Sequence, residues 1–137
     1  MTLKHFSPET DPSLYRCSCG REDCDAPAPS PLLLGLLDVM RETYGREITV
    51  RSGPRCRWYN DRPVSEGGAG GASDSEHPEG RGADLACTRS RDRWDMLRAA
   101  LATGFRRIGI GPTFVHVGVG EESSGHAQDV AWTYYPR

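Results

Sequence analysis

Gly104-Phe-Arg-Arg-Ile-Gly-Ile-Gly-Pro-Thr-Phe-Val-His-Val-Gly-Val119 is the stretch on which the fold turns. Arg107–Ile110 reads as one strand, and Thr113–Val119 as another with clear alternation. Between them Gly111-Pro112 suits a hairpin turn. His116 falls in the middle of the second strand, with Phe114 and Gly118 as its same-face neighbours.

Upstream of this hairpin, Ser90 opens a helix that ends at Gly104, with Trp94, Leu97 and Leu101 on one face. Ala83–Cys87 and Glu47–Ser52 are β-rich and read as strands. Ser30-Pro31 supplies an N-cap followed by proline at the first helical position. Leu33, Leu36, Leu37, Met40 and Tyr44 then recur at helical spacing up to Gly45, which predicts a helix over 31–44. Downstream, Val130–Tyr135 is a last strand, its aromatic residues Trp132, Tyr134 and Tyr135 expected to pack on the sheet. The order of elements predicts an α+β domain, with helices on one face of a mostly antiparallel sheet.

The 137 residues fit one domain with one real core. Residues 1–29 hold four prolines and three cysteines and read as an irregular arm. Residues 53–82 carry seven glycines and three prolines, long for a structureless connection and so expected to serve a site. Net charge is -2 and there is no basic tail, so composition offers no case for nucleic-acid binding. No run of apolar residues is long enough to cross a membrane. The first residues lack the apolar core of a secretory signal, so synthesis in the cytoplasm is the expectation, with lysis or a virion as the way out.

Ser75-Glu-His-Pro-Glu-Gly-Arg-Gly-Ala-Asp84 carries the chemistry. Its glycines let the backbone turn tightly enough for His77 and Asp84 to face one point. With His116 they make two imidazoles and one carboxylate, a three-ligand zinc set whose fourth position stays open for water. By spacing alone the pattern is weak: such pairs arise by chance, and a strand histidine is often just a buried, satisfied one.

Read together, the motifs run almost end to end and in order. They are Phe6-Ser-Pro-Glu9, Leu37–Gly45 followed by Ile48-Thr-Val50, Ser52-Gly-Pro-Arg-Cys56 followed by Asn60, Ser75-x-His77-x-x-Gly80-x-Gly82-x-Asp84, Gly104–Gly111, Thr113-Phe-Val-His116-Val117, and Trp132. This ordered set resembles the zinc D-Ala-D-Ala carboxypeptidases, close to the small phage and bacterial peptidoglycan peptidases. The resemblance implies a hedgehog/D-Ala-D-Ala-peptidase-like fold and zinc held by His77, Asp84 and His116. It implies that Arg55 holds a substrate carboxylate or carbonyl, for which a planar two-pronged guanidinium is suited. Ser75 would either bond substrate or cap its own loop. The implied substrate is a peptidoglycan stem peptide, cut at a D-amino-acid bond. The alternative is a zinc-binding virion or cell-wall-binding module without efficient turnover, or more distantly a regulatory domain for a protein partner.

The chain departs from the family pattern at three places. Gly82 stands where alanine is usual, Thr113 where several relatives carry an acid, and Gly118 where nearer relatives carry aspartate after the last ligand. No general base is therefore visible. Glu76, Glu79, Glu121 and Glu122 are near in sequence, and each is expected to be a solvated loop charge; His126 reads as a plain loop residue that could swing into the cleft. Cys17, Cys19 and Cys24 have three open readings: a second zinc with His5, an acid or a distant residue as fourth ligand; a disulfide; or free thiols. Cys56 and Cys87 sit at comparable strand ends, where a disulfide could form.

Overall fold

A computed structural model describes residues 2–134. Tyr135, included above in the last strand, lies outside the described residues. The elements run α1 (Pro12–Tyr15), α2 (Pro31–Tyr44), β1 (Val50–Ser52), α3 (Arg57–Asp61), β2 (Gly82–Ala86), α4 (Ser90–Thr103), β3 (Arg107–Ile110), β4 (Phe114–Gly118) and β5 (Val130–Thr133), with short 3-10 turns at Val64–Glu66, His77–Glu79 and Glu122–Ser124. The class is α+β, as expected.

The five strands form one sheet in the order β1-β2-β4-β3-β5. The β1–β2, β2–β4 and β3–β4 pairs are antiparallel, but β5 joins β3 in parallel, so the sheet is mixed. Residues 119–129 carry the chain back past β3, and β5 therefore enters from the same end. The sheet's two faces divide the labour, because successive side chains point opposite ways. Ala83, Leu85, Ile108, Val115 and Val117 face the apolar core with Leu33, Leu37 and Met40 of α2. Gly82, Asp84, Gly109, His116 and Gly118 alternate with them and belong to the other face.

Helix α2 ends as its sequence dictates: Ser30 Oγ accepts from Leu33 N–H, and Gly45 is left-handed at φ 76°. In α4 the bounds also match, but of that apolar face only Leu97 packs against the core. Trp94 and Leu101 are 61% and 66% exposed, while Met96, Ala99 and Ala100 are buried. The two alanines let α4 lie close against α2 and β4, which favours that stripe over the larger residues.

Residues 1–29 are not merely an irregular arm. Phe6 and Leu14 are buried in the core, and Leu14 sits on α1. Packed beside α1, Gly53 is tight: a Cβ there would come within 2.6 Å of the Ser13 carbonyl oxygen and 2.9 Å of that of Leu14. Residues 53–82 are likewise structured, holding α3 and two of the 3-10 turns.

Candidate metal centre

Asp84 on β2 and His116 on β4 are directly opposite one another in the ladder, which puts both on the site face. His77 reaches the same point from the turn His77–Glu79, closed by Gly80 in the left-handed region at φ 71°. Asp84 Oδ1 lies 2.9 Å from His116 Nδ1 and 3.2 Å from His77 Nε2. The three sequence-predicted ligands therefore converge, their donor atoms all within 4.8 Å of one another. Two ring nitrogens and one carboxylate oxygen, open on one side, fit a four-coordinate zinc ion with one exchangeable position.

The outer nitrogens of both rings are tied down. His77 Nδ1 is 2.7 Å from the Gly53 carbonyl oxygen, so it carries the proton and leaves Nε2 free for a metal. His116 Nε2 is 3.0 Å from Glu76 Oε1, which fixes Nδ1 as the inward atom once that ring is neutral. A zinc site needs this outer support, because a ring that can rotate or switch tautomer holds metal poorly.

Glu76 overturns its expected role as a solvated loop charge. It is 1% exposed. Oε1 faces His116 Nε2 and lies 3.0 Å from Arg107 Nε, while Oε2 accepts from Gly120 N–H at 2.6 Å. Its space comes from missing side chains: a Cβ at Gly118 would fall on this carboxylate, and one at Gly120 would come within 2.7 Å of Oε2. The space that a side chain at position 118 would occupy is thus filled by the Glu76 carboxylate. Gly82 has a related cause, since a Cβ there would stand 2.7 Å from the His116 ring.

Arg55 is nearly buried beneath the cavity. Its Nε donates to Ser52 Oγ, one terminal nitrogen to Asn60 Oδ1, and the other to Asp84 Oδ2 at 3.1 Å. Ser75 Oγ accepts from His77 N–H, so the loop-capping alternative is realised. Among the other acids, Glu79 pairs with the buried His126 at 2.8 Å, Glu121 with Arg81, and Glu122 is exposed. His126 is thereby locked to the His77–Glu79 turn and away from the cleft. His5 bonds Glu42 and does not approach the cysteines as a ligand. Cys56 and Cys87 do not pair: all five cysteines are free, and Cys56 lies with Cys17, Cys19 and Cys24.

The charges act on one another. Burial favours the neutral form of His77, and Asp84 only partly opposes it, so that ring's pKa is lowered. Burial also works against a charge on His116, but Asp84 and Glu76 on either side outweigh it and raise the ring to about 9. Burial likewise opposes ionisation of Asp84 and Glu76. His77 and His116 nonetheless hold Asp84 well below the usual carboxylate range, and His116, the Gly120 N–H and Arg107 lower Glu76.

Over the centre opens a cavity of about 650 Å³. One wall is small, with Ala69, Gly70, Gly71 and Ala72; the other carries Phe114, Trp132 and Tyr134. Trp132 and Tyr134 were expected as sheet packing and serve both purposes. Trp132 and Tyr134 lie across Gly109, where a Cβ would meet their rings at 2.8 and 2.6 Å. The Trp132 ring also stands 5.6 Å from that of His116. Asp74 lines the cavity as well and makes no hydrogen bond or ion pair among the described residues.

The family model for Peptidase M15 matches residues 5–119. No match is found among the curated proteins. The matched span takes in the arm, the three converging side chains, Arg55 and Glu76, and stops before β5. By that span the chain belongs to the Peptidase M15 family, whose members are zinc-dependent peptidases.

Proposed function

We propose that the protein is a zinc peptidase of the D-Ala-D-Ala carboxypeptidase or endopeptidase type, cleaving a D-amino-acid bond in peptidoglycan stem peptides. One observation carries the reading: His77, Asp84 and His116 converge on a centre with fixed outer nitrogens, open to a cavity. When bound, zinc supplies Lewis-acid chemistry there, acidifying water and polarising a carbonyl. Charge supports a substrate with a carboxylate. Arg55 and Arg107 offset Asp84 and Glu76, so a divalent ion leaves the centre positive. Arg55 spends three of its five N–H donors inside the protein, and the other two suit a carboxylate or carbonyl from the cavity.

The small wall of Ala69, Gly70, Gly71 and Ala72 suits a slim chain with alanine-sized side chains. Tyr134, its pKa pushed up to about 12 by burial and by the facing charges of Asp84 and Glu76, stays a neutral donor across the working pH range. Asp74 is the carboxylate left to accept a proton, since those of Asp84 and Glu76 are engaged.

The test is to load purified protein with zinc and digest purified peptidoglycan between about pH 5 and 9. New amine ends, lost in His77→Ala and reduced in Asp74→Asn with little change in KM, are expected. Full zinc occupancy with no new amine ends would favour the binding module. Zinc content that His77→Ala leaves unchanged would remove the centre itself.

A further inference from the structure

We propose a second metal site that staples the N-terminal arm to the segment beneath the active centre: a structural zinc held by Cys17, Cys19, Cys24 and Cys56. Each residue offers one sulfur, and all four sulfurs lie within 4.8 Å of one another. The sulfurs of Cys17 and Cys56 are 3.9 Å apart. A disulfide would need about 2.05 Å. A tetrahedron with zinc–sulfur bonds of about 2.3 Å has edges of about 3.8 Å. The separation thus suits four thiolates around one ion.

The backbone is arranged for the same purpose. Gly20 takes a left-handed turn at φ 70° directly after Cys19, a conformation other residues rarely adopt, and the turn lets Cys24 return toward Cys19. Two main-chain amides point at sulfur: Cys56 N–H at Cys17 Sγ, 3.5 Å, and Arg21 N–H at Cys19 Sγ, 3.4 Å. Donors of this kind stabilise thiolate charge. Four thiolates in a closed set, with no position for water, suit a structural zinc ion. The fourth ligand comes from 32 residues beyond the third, across α2 and β1, so the set is assembled by the fold and not by a short local motif.

The site's place explains its use. Cys56 follows Arg55, whose guanidinium binds Asp84, and the carbonyl of Gly53, shortly before them, accepts the hydrogen bond from His77 Nδ1–H. Fixing Cys56 to the arm fixes both supports of the active centre from below.

Metal analysis and cobalt spectroscopy on the whole chain test this. Purified protein is expected to hold two zinc ions, His77→Ala one, and Cys19→Ser one. Cobalt-loaded wild type and His77→Ala are both expected to show intense sulfur-to-cobalt charge-transfer absorption, and Cys19→Ser to lack it. Because a cysteine variant could simply misfold, thiols are also counted in wild type, denatured with a chelator under non-reducing conditions. All five cysteines are expected to react. Fewer than five thiols, cobalt spectra without sulfur charge transfer, or an iron chromophore would overturn the proposal. So would a single zinc that disappears with His77→Ala, an outcome that leaves the peptidase reading intact.

Discussion

At position 118 the lack of a side chain is what admits the Glu76 carboxylate. Glu76→Ala would leave the His116 Nε2 proton buried without its acceptor and Arg107 without its counter-charge. It is expected to cost about 3–5 kcal/mol of stability and to weaken zinc binding by about 10–100-fold, measured by urea unfolding and metal titration. Gly118→Asp places an acid two residues after His116 but drives one carboxylate into another. It is expected to lose about 1–3 kcal/mol through overpacking and to gain no activity, whereas Glu76→Ala combined with Gly118→Asp should recover zinc affinity. A tolerated Gly118→Asp with Glu76 intact would show that the two positions do not compete. The ring of His116 gives a pH signature. Below about 9 the metal-free ring carries a proton that zinc must displace. Zinc affinity should therefore rise by about tenfold per pH unit and level off above about 9, a slope that isothermal titration at several pH values would reveal. His77, Asp84 and His116 are legible in the sequence because their spacing sits inside an ordered set of motifs. Glu76 is not, since its role depends on glycines as far as 44 residues away that make room for it.

Helix α4 shows what spacing decides and what it leaves open. Its bounds were legible at both ends, and Gly104 takes the left-handed turn that stops it. Its most deeply buried residues were not, because 94/97/101 and 96/99/100 are both helical stripes, and close contact with α2 and β4 buries the second while only Leu97 of the first reaches the core. Trp94→Ala and Leu101→Ser are accordingly expected to change unfolding free energy by less than about 0.5 kcal/mol. Met96→Ala should cost about 2–5 kcal/mol, and chemical denaturation would separate the two classes. The direction of β5 was equally hidden: it follows from the path of residues 119–129, whose composition says nothing about which end of β3 they approach.

For the molecule as a whole, the arm is part of the core. Phe6 and Leu14 are isolated apolar residues among prolines and charges, too sparse for a periodic signal, yet both are buried. Leu14→Ala is expected to remove about 2–5 kcal/mol, a large share of a stability of about 5–15 kcal/mol. It should also loosen Gly53 and with it the partner of His77, seen as weaker zinc retention alongside a lower urea midpoint. A different consequence follows from Asp84 and His116 facing each other across the β2–β4 ladder. A one-residue slip between those strands would turn the imidazole away from the carboxylate and into the apolar layer. Only the correctly aligned sheet can capture the ion, so metal uptake proofreads strand alignment and rewards a single arrangement of the chain.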